Sequence, residues 1–111
     1  MERHEIIAII KNLLIKFNAS YAILFGSYAR GEETEASDID LIVVGGEHFH
    51  PSDIFDLGEE LREQTGKNAD VFEIREINID TDFYRTAMAE GVKLPDSDTG
   101  LYMIMRESTG S

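Results

Sequence analysis

Two aspartates separated by one residue stand immediately before a run of apolar residues. Asp38 and Asp40 precede residues 41–44, Leu-Ile-Val-Val. In an extended strand, side chains two residues apart leave the same face and lie about 6.5 to 7 Å apart along the chain. Hard divalent cations prefer oxygen ligands, and Mg²⁺ typically takes one or two carboxylates together with substrate phosphates. The pair therefore predicts a Mg²⁺ site at the start of a buried strand.

A third carboxylate, Asp70, lies near the start of the next segment with strand character, residues 69–74. This segment alternates apolar and polar residues, which is typical of a strand with one covered face. If it lies beside the strand that begins at Asp38, Asp70 can join Asp38 and Asp40. Three such carboxylates can hold two cations about 3.5 to 4 Å apart.

Gly26 and Ser27 follow another apolar run, residues 21–25. A glycine at the end of a strand has no Cβ and lets an anion approach the backbone. Ser27 can donate hydrogen bonds from its hydroxyl and its amide, and a helix that begins there directs its positive end at the ligand. We expect a triphosphate to bind at this turn. A short helix and a return loop over residues 28–37 can bring the turn and the aspartates to one rim.

Helical and strand patterns alternate along the chain, which predicts a single α/β domain with one small mixed sheet of three to four strands. Apolar residues recur at helical spacing over residues 6–17, and glycine, proline and capping residues separate the later segments. The predicted order is α-β-α-β-α-β-α. The helices are predicted over residues 6–17, within 28–35, over 51–65 and over about 81–90. The strands are predicted over residues 21–25, 38–44 and 69–74. We assign residues 1–95 to the domain and residues 96–111 to a C-terminal extension, in which residues 101–105 form either an edge strand or a partner contact.

The composition limits the classes of partner. The chain has 111 residues, with 10 Lys and Arg against 22 Asp and Glu, so its net charge is −12. The basic residues are scattered singly, and an acidic surface without a basic face repels phosphate backbones, so we expect no long nucleic acid as substrate. No segment has the roughly 18 apolar residues that a membrane span needs, so we expect no membrane partner. The N-terminal residues lack the layout of a signal peptide, and cysteine is absent, which fits a cytoplasmic protein.

The motif formed by Gly26-Ser27, ten further residues and Asp38-Ile39-Asp40 resembles the G-S-x10-D-x-D signature of the DNA polymerase β-like nucleotidyltransferase superfamily. The fuller string, Gly-Ser-Tyr-Ala-Arg-Gly followed by Ser-Asp-Ile-Asp-Leu-Ile-Val, is similar to its minimal nucleotidyltransferase (MNT) branch. The resemblance implies that an acceptor hydroxyl attacks the α-phosphorus of a nucleoside triphosphate. It implies that Asp38 and Asp40 hold two Mg²⁺ ions, that Asp70 binds the catalytic ion and helps to deprotonate the acceptor, and that Gly26 and Ser27 hold the β- and γ-phosphates.

MNT proteins are often paired with small helical HEPN proteins, and some silence that partner by adding AMP to it. The resemblance therefore implies adenylyl transfer from ATP and an antitoxin role toward a HEPN partner. Two alternatives stay open: a non-catalytic acidic antitoxin, and a transferase acting on a small molecule such as an aminoglycoside. A homo-oligomer is also left open.

Three residues near the motif have two interpretations each. Arg30 is a candidate ligand of the nucleotide phosphates, with an ion pair to a neighbouring glutamate as the alternative. Tyr28 either stacks on a base or covers the sheet. Glu73 is the alternative to Asp70 as the third acid of the family motif, because that acid is recognised only by its place on the following strand.

Overall fold

The computed structural model describes residues 1–95. The extension 96–111, with its segment 101–105 interpreted as an edge strand or partner contact, lies outside the described residues. The helices are α1 (Arg3–Lys16), α2 (Ser27–Arg30), α3 (Asp53–Thr65) and α4 (Asp82–Glu90), and a 3₁₀ turn covers Ile74–Glu76. The strands are β1 (Tyr21–Phe25), β2 (Ile39–Val44), β3 (Ala69–Glu73) and β4 (Val92–Leu94).

The strands form one mixed sheet in the order β3-β2-β1-β4. β1 is antiparallel to β2 and to β4, whereas β2 and β3 are parallel. Parallel neighbours need a crossover connection, and α3 supplies it between β2 and β3. The predicted α/β class and order are confirmed. The structure adds the 3₁₀ turn and the three-residue strand β4, which is too short for its pattern to be recognised in the sequence.

One face of the sheet packs against α1 and α3. Alternate residues of β2, namely Ile39, Leu41 and Val43, are fully buried on this face. The stripe predicted for the first helix supplies the opposing layer, with Ile6, Ile10, Leu13 and Leu14 all buried. Burying a large aliphatic side chain contributes about 1.5 to 3 kcal/mol, so this layer is the main source of stability.

The opposite face packs against α4. Ile42 of β2, Ile23 of β1 and Ala87 of α4 form its buried cluster. Because side chains alternate along a strand, Asp40 lies on the same face as Ile42, two residues nearer the start of β2. The α4 face therefore ends in a carboxylate.

The ends of the later helices follow from single residues. Gly66 ends α3 in the left-handed conformation at φ 69°, and its amide donates to the Arg62 carbonyl. The Thr81 side chain accepts a hydrogen bond from the Tyr84 amide and caps α4. Gly91 ends α4 with an extended backbone. A Cβ there would collide with the Ile23 side chain, so glycine is needed for close packing rather than for a left-handed turn.

Candidate active site

Asp40 and Asp70 are register partners on the parallel strands β2 and β3. Paired residues in a sheet direct their side chains to the same face, so both carboxylates lie on the α4 side. Asp38 stands one residue before β2, which begins at Ile39 rather than at Asp38 as predicted. Asp38 and Asp70 are exposed, whereas Asp40 is half-buried. The structure thus brings the three predicted acids to one end of the sheet.

Gly26 lies directly against Asp40. It follows the last residue of β1, Phe25, which is the register partner of Asp40. Gly26 has φ 73° and ψ −148°, a backbone conformation that is essentially restricted to glycine. A Cβ on Gly26 would lie 2.5 Å from Oδ2 of Asp40. The predicted phosphate-binding turn and the predicted metal ligands are therefore in contact.

Asp40 is the acid whose protonation the site changes most clearly. Burial raises the pKa of its carboxyl above the ordinary value, and the negative charges of Asp70 and Asp38 raise it further. Arg30 acts in the opposite direction and lowers this pKa. The shift means that the ionised form of Asp40 is disfavoured here, and a bound cation would stabilise it.

These acids suit Mg²⁺ by chemistry, since all their donors are carboxylate oxygens. Within residues 1–95, no three aspartate, glutamate or histidine side chains already converge as a formed metal site. Carboxylates of like charge repel one another, and a cation between them would remove that repulsion. The assignment of Asp38, Asp40 and Asp70 as metal ligands stays a prediction.

Ser27 begins the short helix α2 immediately after Gly26. The Gly26 carbonyl accepts hydrogen bonds from the amides of Ala29 and Arg30, at 3.1 and 3.3 Å. The amides in the first turn of a helix have no acceptor within the helix, so those of Ser27 and Tyr28 suit an anion. The role of Gly26 and Ser27 in binding phosphates is still a prediction.

Arg30 takes part in the ion pair that the sequence suggested as one of its two roles. Its Nε lies 2.6 Å from Oε1 of Glu32, and its NH1 lies 4.0 Å from Oε1 of Glu90. Nearly half of the Arg30 side chain is exposed. Solvent screens exposed pairs of this kind, so the guanidinium can exchange partners at small cost. Its predicted contact with phosphate is compatible with this position and stays a prediction.

Tyr28 and Glu73 lie away from the acid cluster. Tyr28 is 2% exposed and belongs to the core beneath α1, which fits the interpretation that it covers the sheet. Glu73 is the register partner of Val43, on the face opposite to Asp40 and Asp70. It is 4% exposed, and its carboxylate accepts hydrogen bonds from the Arg75 amide and guanidinium. Glu73 therefore stabilises the 3₁₀ turn and does not join the aspartates.

Lys67 holds the loop that carries Asp38, a role that the sequence did not reveal. Its Nζ donates hydrogen bonds to the carbonyls of Glu35, at 2.5 Å, and Ser37, at 3.2 Å. Next to it, the Asn68 carbonyl accepts from the amide of the residue that begins β2, at 3.0 Å. These contacts join the segments that precede Asp38 and Asp70. No spacing signal marks Lys67, because its partners are backbone atoms about 30 residues away.

A profile of the family described as "Polymerase beta, Nucleotidyltransferase" matches residues 5–100. The chain belongs to this nucleotidyltransferase family. The chain is 41% identical over 78 residues to "Putative protein adenylyltransferase MJ0435" of Methanocaldococcus jannaschii. The match covers 70% of this chain and 84% of that protein.

Two solved structures share the fold of this nucleotidyltransferase. One, described as a toxin-antitoxin with AMP-PNP, has a TM-score of 0.68 at 21% identity and covers 93% of this chain and 85% of that chain. The other is described as a tri-AMPylated Shewanella oneidensis HEPN toxin in complex with MNT antitoxin. It has a TM-score of 0.66 at 16% identity, and the match covers 98% of this chain and 85% of that chain. The predicted membership of the nucleotidyltransferase superfamily is confirmed by the family match, and the two structures show that the fold is shared. In the described residues of the nucleotidyltransferase, no helix is long and apolar enough to cross a membrane.

Proposed function

We propose that this protein transfers AMP from ATP to an acceptor hydroxyl. The main support is the placement of Asp40, which pairs in register with Asp70 on one side and contacts Gly26 on the other. A triphosphate on Gly26 and Ser27 would thus lie beside the carboxylates. The relative described as a protein adenylyltransferase supports adenylyl rather than another group for transfer.

The residues have distinct roles in this proposal. The Gly26 backbone, the Ser27 hydroxyl and amide, and the Arg30 guanidinium bind the β- and γ-phosphates and orient the leaving group. Asp70, exposed at the start of β3, accepts the proton of the acceptor hydroxyl. The acceptor oxygen forms a bond to the α-phosphorus, and the bond between that phosphorus and the leaving pyrophosphate breaks.

Asp38, Asp40 and Asp70 would together hold Mg²⁺, with two ions as the expected number. When bound, Mg²⁺ neutralises charge on the phosphates and lowers the pKa of the acceptor hydroxyl. Within the chain, the raised pKa of Asp40 supports this assignment, because the carboxylate is poorly compensated by protein groups alone.

We propose a HEPN protein as the acceptor, so that the transferase acts as an antitoxin in the cytoplasm, where ATP is available. Support comes from the structures with the same fold, which include an AMP-modified HEPN toxin bound to an MNT antitoxin. The net charge of −12 favours association with a basic protein surface over nucleic acid.

Labelled ATP tests the reaction. Incubation of the protein and a HEPN partner with ATP labelled on the α-phosphate should label the partner, whereas ATP labelled on the γ-phosphate should not. Asp38→Asn and Asp40→Asn should each lower the labelling by at least about 100-fold, and EDTA should abolish it. Asp56→Asn removes an exposed carboxylate from α3 and is the matched control. Transfer from the γ-phosphate would contradict the proposal.

The same variants test the alternative of a non-catalytic acidic antitoxin, which the net charge favours. A stoichiometric inhibitor would still neutralise the partner after both aspartate substitutions, because binding needs only the surface charge. An enzymatic antitoxin would lose neutralisation together with labelling. Growth of cells that express the partner with each variant distinguishes the two mechanisms.

A further inference from the structure

A cavity of about 280 Å³ opens between α2 and α4, next to the acid cluster. Its lining includes Phe25, Gly26, Arg30, Phe83, Thr86 and Glu90. Gly26 is shared between this cavity and the contact with Asp40. A ligand bound at the turn therefore has direct access to the cavity.

Phe83 forms an aromatic wall of this cavity. Its ring is 5.4 Å from the Phe25 ring and 5.8 Å from the Phe72 ring, at interplanar angles of 86° and 72°. These edge contacts fix its orientation. Phe83 belongs to α4, the helix that covers this face of the sheet, but its side chain is still 44% exposed. An oriented aromatic ring thus remains available to a ligand.

Phe83 also lies close to the acids along the sheet. Phe25 is the register partner of Asp40, and Phe72 follows Asp70 by two residues on the same face. Two residues along a strand correspond to about 6.5 to 7 Å. The distance from the acids to the ring is thus within the length of one nucleotide whose phosphates lie on Gly26.

We propose that this cavity binds the base of the donor nucleotide, with the base stacked on Phe83. The proposal rests on the function proposed above, which places a nucleoside triphosphate at Gly26. A neutral aromatic base suits the ring of Phe83, and the cavity is just below the roughly 300 Å³ at which pockets for drug-sized ligands begin. The lining includes Glu90 and Thr86. A carboxylate can accept a hydrogen bond from the exocyclic amine of adenine, and a hydroxyl can donate one to a ring nitrogen.

Equilibrium binding of two probes to the full chain separates the base from the phosphates. The probes are a non-hydrolysable ATP analogue and inorganic tripolyphosphate, each with Mg²⁺ and without any acceptor protein. Phe83→Ala should weaken binding of the analogue about tenfold, the effect of one base stacking on one aromatic ring, and leave tripolyphosphate binding unchanged. Phe83→Leu, which keeps apolar packing on Phe25 and Phe72, should show a similar loss.

The control is Phe55→Ala, because Phe55 is 75% exposed on α3, on the other side of the sheet. It should bind both probes as the wild type does. If both Phe83 variants bind the analogue as tightly as the wild type does, the proposal is wrong. It is also wrong if Phe83→Leu loses as much affinity for tripolyphosphate as for the analogue. If the wild type binds neither probe, the proposed nucleotidyl transfer itself is wrong, and the base site with it.

Discussion

Gly26, at the end of β1, is in contact with Asp40, near the start of β2. Oδ2 of Asp40 fills the space that a side chain on Gly26 would need: a Cβ added to Gly26 would lie 2.5 Å from this oxygen. The end of β1 and the start of β2 can approach this closely only because one of the two residues has no side chain. The turn and the carboxylate therefore form one unit, and a change in either should disturb the other.

Gly26→Ala should disable this unit. Alanine would be strained at φ 73° and ψ −148°, and its methyl group would displace the Asp40 carboxylate. We expect a loss of about 2 kcal/mol or more in unfolding free energy and loss of AMP transfer. The control is Gly31→Ala, at φ 71°, where no atom of residues 1–95 other than its chain neighbours lies within 4 Å of the added Cβ. It should cost about 1 kcal/mol from backbone strain and retain activity. Urea unfolding and labelling from ATP measure both effects, and equal activity losses would contradict the contact.

Asp40 should make stability depend on pH in a defined direction. Its pKa is raised in the folded state above the ordinary 3.8, so the folded protein binds the proton more tightly than the unfolded chain. The contribution of Asp40 to unfolding free energy is then present below pH 3.8 and is lost as the pH rises through the folded-state pKa. Asp40→Asn should therefore gain stability relative to the wild type as the pH rises.

Urea unfolding of the wild type and Asp40→Asn in EDTA, over a series of pH values from about 3.5 to 7.5, measures this difference. Asp56→Asn serves as the reference for removing one negative charge from an exposed helix surface. Parallel stability curves for the wild type and Asp40→Asn would show that burial and the neighbouring acids do not disfavour the ionised carboxylate.

Lys67 should act on catalysis through the loop that leads to Asp38. Lys67→Met removes the donor to the Glu35 and Ser37 carbonyls, so the loop should lose its fixed position before β2. We expect the rate of AMP transfer to fall about tenfold or more, because small displacements of reacting groups have large effects, with about 1 kcal/mol lost in stability.

Lys67→Arg should recover much of the rate, since arginine can donate to the same carbonyls. The control Lys16→Met removes a lysine of equal charge that pairs with Glu60 on the surface of α1 and α3. Its transfer rate should equal that of the wild type. Equal rates for Lys67→Met and Lys16→Met would show that the loop needs no support from Lys67.

Glu73 and Asp70, two acids on the same strand, should respond in opposite ways. Glu73→Ala leaves the Arg75 amide and guanidinium without their acceptor and should cost about 1 to 3 kcal/mol of stability. The folded fraction should keep its affinity for ATP. Asp70→Asn should leave stability nearly unchanged, because Asp70 is exposed, and should abolish transfer. Thermal unfolding together with single-turnover transfer assays tests both, and loss of catalysis only in Glu73→Ala would reverse the assignment.

The fold could be predicted from the sequence where periodicity is strong. The stripe on α1 and the apolar run of β1 are local signals, and both appear in the structure as expected. β4 was missed because its pairing with β1 is a long-range contact that a three-residue segment does not signal. The sequence also did not show why position 91 is glycine, because the side chain that a Cβ there would meet belongs to Ile23 on β1, far away in the chain.

For the candidate site, the sequence by itself determined which residues are candidates for the chemistry, namely Gly26, Ser27, Asp38, Asp40 and Asp70. Residue type and spacing suffice for that, because the chemistry of carboxylates and of a glycine turn is local. Only the tertiary structure decided that Asp70 and not Glu73 lies beside Asp40, since strand register sets which face each side chain takes. The supporting contacts of Lys67 and the open ring of Phe83 likewise depend on packing between segments far apart in the chain, which no local pattern encodes.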